Sequence, residues 1–252
     1  MIQWPEPTLF NLLNLALGLA LMVFLVRYLW LVVTGSDRRP AAWQLALREK
    51  RISPALLKCW RSYPDKIRFL NFWLQSERLM KESVPGDFAE VGVYRGESAR
   101  VLHLLDPGRV LHLFDTFSGF PAEDLRYESG EAATYTPESF RDTSSASVLK
   151  KLGNPSGVIV HEGYFPATAA GLKGPFALVN LDADLYRPTR EALAFFYPLL
   201  SPGGVILVHD YNHRWPGIMK AVDEFCTGIP EHFILLPDTN GTAVLIKNGR
   251  IR

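Results

Sequence analysis

The chain has 252 residues, 48% of them hydrophobic, which suffices for one domain of ordinary core size plus additional segments. Lys and Arg (27) nearly balance Asp and Glu (26), so nothing suggests a general attraction to nucleic acid, and no nucleic-acid partner is expected. The two cysteines, Cys59 and Cys226, form no CxxC pair and are too few for a disulfide framework, which fits a reducing compartment.

A long apolar segment begins the chain. Residues 9–33 read LFNLLNLALGLALMVFLVRYLWLVV, about the length needed to cross ~30 Å of hydrocarbon as a helix. Arg27 lies towards one end, where its side chain can reach the interface beside Tyr28 and Trp30. A secretory signal is disfavoured because no basic residue precedes the run and no small-residue cleavage site follows it. We predict one membrane span; the alternative is an apolar helix packed on a soluble partner.

The charges that flank this segment predict its orientation. No Lys or Arg precedes it, and five basic residues follow: Arg38, Arg39, Arg48, Lys50 and Arg51. The positive-inside bias therefore predicts a single-pass membrane protein with the rest of the chain in the cytoplasm. Residues 1–35 are assigned to the anchor and 36–83 to a juxtamembrane linker and a helical segment over 54–83; the linker sequence TGSDRRP runs from Thr34 to Pro40. Asn11 and Asn14 allow hydrogen bonds between membrane helices, so a membrane-protein partner or a homo-oligomer stays open.

From residue 84 onwards the sequence alternates strands and helices. The apolar strand segments lie at 88–93, 109–115, 157–163, 176–184 and 203–210, and the helical segments at 98–105, 147–152, 189–200 and from Pro216. Continuous Val, Ile and Leu runs joined by helices indicate a parallel sheet covered on both faces. The last segments, HFILLP, DTNG and TAVLIK, are typical of an antiparallel hairpin. The predicted fold of residues 84–252 is α/β, with a mostly parallel sheet and an antiparallel C-terminal hairpin.

Acidic residues stand at the carboxyl end of every predicted parallel strand. In chain order they are Glu90, Asp115, Glu162, Asp182 with Asp184, and Asp210, which follows His209. Parallel α/β sheets bind ligands at this edge. Polar residues also belong at strand ends that meet water, but an acid at the end of each of five strands is hard to explain by solubility alone.

The segment EVGVYRGES predicts the type of cofactor. Gly92 and Gly96 lie four positions apart with bulky Tyr94 and Arg95 between them, so the GxGxxG spacing of a dinucleotide site is absent. This argues against an NAD-dependent oxidoreductase and against a pyrophosphate at the turn. A glycine-rich turn by itself occurs in many α/β proteins, so the inference depends on the residues around it.

Those residues suit a ligand with an amino-acid end and a nucleoside end. Ser98 offers a hydroxyl to a carboxylate, Glu90 an acceptor to an ammonium, and Asp115 an acid to ribose hydroxyls, although a turn aspartate would also explain Asp115. S-adenosylmethionine is such a ligand, and it carries no phosphate. The predicted cofactor-binding residues are Glu90, Gly92, Tyr94, Gly96, Ser98, Asp115 and Glu162.

Several motifs together resemble one enzyme family. GDFAEVGVYRGESA, FDTFSGFP, EGYFPAT, LDADLYRPT and HDY…G…AVDEF occur in the order found in the macrocin O-methyltransferase family, over residues 63–225. EVGVYRGES is also similar to the corresponding loop of catechol O-methyltransferases. The resemblance implies a Rossmann-like class I methyltransferase fold, S-adenosylmethionine as cofactor, usually a divalent cation, and hydroxyls of deoxysugars among the substrates.

The same resemblance implies a metal site, from which this chain departs at one position. The family holds Mg²⁺ with the first acid of D-x-D-x-Y, here Asp182, and with an Asp-Asp pair, here His209 and Asp210. Imidazole is a poor ligand for Mg²⁺. His209 could bind a softer ion such as Mn²⁺, Fe²⁺ or Zn²⁺, serve as general base beside a metal held by Asp182 and Asp210, or mark the loss of the metal. A structural histidine at a strand end is a further alternative.

We favour the general base, which makes His209 and Asp182 the predicted catalytic residues. The catechol enzymes carry a lysine base where this chain has Leu185, so proton removal would fall to His209 or, as second choice, His213. The polar segment 121–145 is predicted to be a lid over the substrate, with Phe140 and Arg141 as contacts and Tyr127 and Tyr135 able to stack on an acceptor ring.

Two functions from different classes are consistent with these features. One is a membrane-anchored, metal-assisted O-methyltransferase that acts on a sugar, a lipid-linked sugar or another small amphipathic hydroxyl acceptor. The other is a catalytically inactive methyltransferase-like subunit, tethered to the membrane for protein interaction. His209 in place of an acid and the missing lysine favour the second function. The intact EVGVYRGES segment and Asp115 favour the first.

Overall fold

A computed structural model describes residues 8–34 and 39–249 of the chain. The predicted linker residues 35–38, Arg38 among them, lie outside the described residues. The chain divides into two compact units, the first ending at Ile52 and the second beginning at Ser53. The boundaries that the sequence suggests, after residues 35 and 83, stay predictions.

The first unit contains two helices, α1 (Leu9–Thr34) and α2 (Ala41–Arg48). α1 has 26 residues, and its apolar side chains, such as Leu15 and Phe24, are exposed. Residues Leu9–Val33 have a mean hydropathy of 2.4 and are long and apolar enough to cross a membrane. A signal sequence near the N-terminus would meet the same criteria, so the helix confirms a candidate span and no more.

The second unit contains seven strands and seven α-helices among the described residues. The strands are β1 (Asp87–Val91), β2 (Leu111–Asp115), β3 (Val158–Glu162), β4 (Phe176–Leu181), β5 (Leu200–Val208), β6 (Phe233–Leu236) and β7 (Thr242–Ile246). The helices are α3 (Pro54–Ser62), α4 (Lys66–Lys81), α5 (Glu97–Leu105), α6 (Ala122–Leu125), α7 (Ser145–Leu152), α8 (Tyr186–Leu199) and α9 (Pro216–Cys226).

The strands form one sheet in the order β3-β2-β1-β4-β5-β7-β6. The first five strands are parallel, and β7 pairs antiparallel with both β5 and β6. This confirms the predicted parallel sheet and its antiparallel C-terminal hairpin. Because β1 and β4 are neighbours near the centre, the carboxyl ends of β1, β2, β4 and β5 lie side by side.

Alternate residues of the central strands face two different environments. Ala89 and Val91 of β1 pack in the main apolar core, which includes Phe196 of α8 and Ile218 of α9. Glu90, between them, points the other way and interacts with Ser98 of α5. The polar residues of the central strands therefore lie on the side where α4 and α5 pack together.

The segment predicted as helical over 54–83 forms two helices, because the chain turns between them. Tyr63 has an extended backbone, as expected for a residue that precedes a proline. Asp65 then caps α4, since its Oδ1 accepts hydrogen bonds from the backbone N–H groups of Ile67 and Arg68, both at 2.9 Å. The break matters for function because it places Arg68 in the first turn of α4.

Asp65 also connects α4 to the hairpin turn, and this generates a stability prediction. Its Oδ2 accepts a hydrogen bond from the backbone N–H of Thr239 at 2.7 Å. Asp65→Ala should lower the free energy of unfolding by about 1–2 kcal/mol, because it removes a helix cap and a turn contact together. Urea denaturation measures the change. Glu138→Ala removes an exposed acid instead, and a loss as large as that of Asp65→Ala in this variant would contradict the capping role.

Candidate functional site

The acids at the ends of β4 and β5 form one polar cluster with His209. Nδ1 of His209 lies 2.9 Å from Oδ1 of Asp182 and 3.2 Å from Oδ1 of Asp210. The three side chains offer ligand atoms that all lie within 4.8 Å of one another. Asp210 has a left-handed backbone (φ +61°) and is nearly completely buried. The structure thus brings together the three residues predicted as metal ligands.

Arg68 joins this cluster, although no sequence motif singles it out. Its Nη2 donates a hydrogen bond to Oδ2 of Asp182 at 2.8 Å, and its side chain is 9% exposed. Burial alone would raise the pKa of Asp182, but the charges of Arg68 and His209 hold it well below its usual range. Asp182 is therefore a carboxylate with a cationic partner on each oxygen. Arg68 lies 114 positions away in the chain, and no local pattern distinguishes it from an ordinary helix-surface cation.

His209 is a hydrogen-bond donor in this arrangement. Burial would lower its pKa, but the neighbouring charge of Asp182 outweighs burial and raises the pKa to about 9. An imidazole with this pKa carries a proton near neutral pH and cannot accept a second one. The general-base role of His209 stays a prediction, and it requires a change in the Asp182 contact.

Asp184 is a second acid at the end of β4 that belongs to the site. It has a left-handed backbone (φ +61°). Burial, together with the charges of Asp182 and Asp210, raises its pKa well above the usual value for a carboxyl group. The sequence places Asp184 at this edge of the sheet but assigns it no role, because the family resemblance implies a metal ligand only at the first acid of D-x-D-x-Y, Asp182.

Two cavities open at the carboxyl edge of the sheet. One is named the Asp115 cavity; its walls include Phe114, Asp115, Thr116, Gly163 and Tyr164. The other is named the His209 cavity; its walls include Tyr63, Arg68, Ser98, His209 and Trp215. Five residues line both cavities: Gly92, Tyr94, Phe140, Asp182 and Asp184. The two cavities therefore meet beside Asp182.

Gly92 and Asp115 shape the wall where the cavities meet. Gly92 has φ +84°, and a Cβ on it would lie 2.0 Å from the backbone oxygen of Asp182. Oδ2 of Asp115 accepts hydrogen bonds from the backbone N–H groups of Val93 and Tyr94 at 2.7 and 2.8 Å. Asp115 thus fixes the glycine loop (residues 92–96), as expected of a turn aspartate, and it also lines the Asp115 cavity. Binding of ribose hydroxyls by Asp115 stays a prediction.

Three of the predicted cofactor-binding residues make other contacts. As the structure describes them, Glu90, Gly96 and Glu162 line neither cavity. Glu90 is completely buried and accepts a hydrogen bond from Nδ2 of Asn180 at 2.7 Å, because residue alternation in β1 turns it towards α5. Gly96 has φ +73° and precedes α5. Glu162 is exposed and accepts a hydrogen bond from Oγ of Ser145 at 2.7 Å, because β3 is an edge strand.

The segment 121–145 is folded against the site. Glu131 pairs with Arg214 at 2.9 Å, and Asp142 pairs with Arg95. Phe140 packs edge-on against Tyr94, with ring centroids 5.1 Å apart. Among the residues predicted to contact substrate, Phe140 lines both cavities and Tyr135 the His209 cavity, whereas Arg141 and Tyr127 are exposed and line neither. Movement of this segment as a lid stays a prediction.

The comparisons with known proteins agree with the motifs of the sequence. The family model described as Macrocin-O-methyltransferase (TylF) matches residues 65–234. The chain belongs to this family.

Two curated relatives illustrate the similarity in sequence. The 8-demethyl-8-(2,3-dimethoxy-alpha-L-rhamnosyl)-tetracenomycin-C 4'-O-methyltransferase of Streptomyces olivaceus is 30% identical over 54% of this chain and 56% of its own length. The mycinamicin III 3''-O-methyltransferase of Micromonospora griseorubida is 32% identical over 59% of this chain and 63% of its own length. The chain therefore spans less than two thirds of either relative.

The solved structure of the O-methyltransferase NovP is 26% identical to this chain, with a TM-score of 0.62 over 73% of this chain and 80% of that one. This similarity confirms the predicted class I methyltransferase fold.

The close approach at Gly92 generates a testable prediction. Gly92→Ala should lower the free energy of unfolding by more than about 2 kcal/mol, because it adds a steric clash to the strain of a left-handed backbone. Gly153→Ala is the matched control, since Gly153 has φ +90° but no atom lies within 4 Å of the position that its Cβ would take. Thermal or urea denaturation compares the two variants. Equal losses would show that the contact with Asp182 has no cost of its own.

The burial of Glu90 generates a pH prediction. Burial outweighs the hydrogen bonds from Ser98 and Asn180 and raises the pKa of Glu90 from 4.5 to about 8. Since the folded state holds this proton more tightly, the stabilisation is complete below pH 4.5 and is lost as the pH rises through about 8. Glu90→Gln should remove this pH dependence. Parallel profiles of unfolding free energy for the two proteins would contradict the prediction.

Proposed function

We propose that the chain is an S-adenosylmethionine-dependent O-methyltransferase that acts on a hydroxyl of a sugar or sugar-bearing acceptor. The observation that carries this proposal is the meeting of two cavities beside Asp182. Methyl transfer is an in-line displacement, so the donor and the acceptor must approach from opposite sides of the methyl group. Two cavities with one common wall provide that arrangement, and membership of the macrocin O-methyltransferase family supports it.

The Asp115 cavity suits the nucleoside end of the cofactor. Phe114 and Phe165 supply apolar walls, and Asp115 and Thr116 supply oxygens for ribose hydroxyls. Gly92 and Tyr94 lead from there to the His209 cavity, in which Ser98 and Arg68 lie. The methionine end would therefore lie beside Asp182.

The His209 cavity suits a sugar ring. Trp215 and Tyr135 offer aromatic surface, and Nε1 of Trp215 donates a hydrogen bond to the hydroxyl of Tyr135 at 3.3 Å. Asp65 and Asn240 add polar groups at the rim. The name of the Streptomyces olivaceus relative describes a rhamnosyl-bearing tetracenomycin, which supports a sugar acceptor for this chain.

The residues at the ends of β4 and β5 fit a divalent cation. Oδ1 of Asp210 is buried, and its contact with Nδ1 of His209 at 3.2 Å lacks good hydrogen-bond geometry, so this carboxylate oxygen would gain from a cation. Asp182, Asp210 and His209 would hold the ion, and the mixed nitrogen and oxygen set suits Mn²⁺ better than Mg²⁺. When bound, such a cation lowers the pKa of an acceptor hydroxyl. The side chains contribute the positioning of that hydroxyl near the common wall.

Asp184 is placed to assist the acceptor. It lines both cavities, and its raised pKa means that it holds a proton more tightly than an ordinary carboxyl group does. A carboxyl group with this property is suited to exchange a proton with an acceptor hydroxyl.

The apolar helix α1 would anchor the protein as a single-pass membrane protein with the second unit in the cytoplasm. Its length and its apolar composition support this proposal. Anchoring would raise the local concentration of an amphipathic or lipid-linked acceptor without any new contact at the site.

The test is methyl transfer by the full chain in detergent. Methyl-labelled S-adenosylmethionine is incubated with deoxysugar glycosides and with membrane lipid extracts, in the presence of Mg²⁺ or Mn²⁺. We expect a labelled acceptor, and Asp182→Asn should lower the rate at least about 100-fold because it removes the charge at the junction of the cavities. Glu138→Gln, at an exposed position, should retain the rate. Cofactor binding without transfer to any acceptor would favour the catalytically inactive interaction subunit instead.

A further inference from the structure

Arg68 is a buried cation whose hydrogen-bonding capacity is only partly used. Its Nη2 donates to Oδ2 of Asp182, and its guanidinium lies over the ring of Phe72, 5.5 Å from the centroid. Its Nε–H is buried and has no acceptor among the described residues. Leaving a buried donor unpaired is costly, and Arg68 lines the His209 cavity, so a ligand bound there could supply the missing acceptor if the side chain shifts towards it.

A carboxylate is the acceptor that suits this group. The guanidinium has five N–H donors in a planar fork, and its strongest pairing is bidentate, with two parallel hydrogen bonds to one carboxylate. The present pairing with Asp182 is through Nη2, while the buried Nε–H has no acceptor among the described residues; a change of partner that turns the side chain would let Nε–H and Nη2 bind the two oxygens of one carboxylate. Asp182 therefore uses only one side of the guanidinium fork of Arg68, and a carboxylate that binds both Nε–H and Nη2–H would be a stronger partner.

The charges around the His209 cavity explain why such a ligand would need Arg68. Five acids line this cavity: Asp65, Glu97, Asp182, Asp184 and Asp210. Two guanidinium groups line it among the described residues, and that of Arg95 is half exposed and paired with Asp142. The cavity also contains His209, which is already bound to Asp182. Glu97 pairs with Lys151, but an incoming carboxylate would still meet the negative charges of Asp182 and Asp210 unless Arg68 receives it.

We propose that Arg68 exchanges partners: it holds Asp182 before the cofactor binds and takes the carboxylate of the cofactor's methionine end on binding. This inference rests on the proposed function, because it requires a cofactor with an α-amino-acid group. Ser98 lines the same cavity and adds a hydroxyl to the carboxylate site.

The exchange couples the cofactor to a divalent cation. While Arg68 is bound to Oδ2, its positive charge neutralises the carboxylate of Asp182. A cation at Asp182 would then be repelled by the guanidinium. When Arg68 moves to the cofactor carboxylate, Asp182 becomes available beside Asp210 and His209. The cofactor should therefore tighten the binding of the cation, and the cation should tighten the binding of the cofactor by the same factor.

The first experiment is calorimetry on the full chain with S-adenosylhomocysteine and with its decarboxylated analogue. Arg68→Met should weaken S-adenosylhomocysteine about 10- to 100-fold, as for the loss of a charge-assisted hydrogen bond, and leave the analogue unchanged. Arg68→Lys should lose less, because it keeps the charge but not the fork. Arg61→Met, which removes an exposed arginine of α3, is the matched control and should bind both ligands like the unmodified chain.

The outcomes separate this inference from the proposed function. Failure of the unmodified chain to bind either ligand would overturn the proposed function itself. Unchanged affinity of Arg68→Met for S-adenosylhomocysteine, with normal binding in the unmodified chain, would overturn the role of Arg68 alone. Equal loss of both ligands in Arg68→Met and Arg68→Lys would show a general structural role and would also overturn the inference.

The second experiment measures Mn²⁺ binding by electron paramagnetic resonance, with and without S-adenosylhomocysteine. We expect the cofactor product to tighten Mn²⁺ at least about 5-fold in the unmodified chain, within the usual range of coupling between sites. The decarboxylated analogue should give no such effect, and Arg68→Met should show none with either ligand. Mn²⁺ affinity that is independent of S-adenosylhomocysteine in the unmodified chain, or absence of Mn²⁺ binding, would overturn the coupling.

Discussion

The site depends on one partly buried carboxylate, Asp182, that is held from two sides. Arg68 binds one of its oxygens and His209 the other, and its backbone oxygen faces Gly92 so closely that no side chain fits between them. Removing one partner of a buried ion pair costs about 3–5 kcal/mol, because the remaining charge loses its compensation. The chain therefore keeps the four positions together, although they come from α4, the glycine loop and two strand ends.

This arrangement explains why the fold is needed for the site. The parallel sheet brings the ends of β1, β4 and β5 next to one another, which sets Gly92, Asp182 and His209 side by side. Helix α4 begins at Lys66, after its cap Asp65, and points Arg68 towards that edge. Segment 121–145 then closes the common wall of the two cavities through Phe140, which packs on Tyr94. The strand ends, α4 and the segment 121–145 each form part of the cavity walls. The cavities therefore exist only when the whole second unit is folded.

The sequence predicted the parts of the site that depend on strand periodicity. An acid at the end of a continuous apolar run lies at the carboxyl edge whatever the surrounding helices do, and Asp182, His209 and Asp210 were found in this way. Glu90 shows the limit, because its neighbours in β1 are apolar and only the two-residue alternation decides which way it points. Three-dimensional packing turned it into the interior, where it binds Asn180.

Arg68 shows a different limit. Nothing in KIRFLN distinguishes a functional arginine from an exposed one, since the helix pattern is compatible with both. Its role follows from the turn at Tyr63–Asp65 and from the packing of α4 on α5 and β5, which are contacts between distant parts of the chain. The departure from the family pattern at His209 was visible in the sequence, but its consequence was not. Asp182 lies 2.9 Å from Nδ1 of His209 and makes the imidazole a hydrogen-bond donor, and the sequence does not show this distance.

The most direct test is an experimental structure of the full chain with S-adenosylhomocysteine bound. We predict the nucleoside in the Asp115 cavity, the sulfur atom beside Gly92 and Asp182, the methionine carboxylate on Arg68, and the rest of the His209 cavity open for an acceptor. A ligand bound outside the two cavities, or a nucleoside in the His209 cavity, would contradict the assignment of donor and acceptor sides.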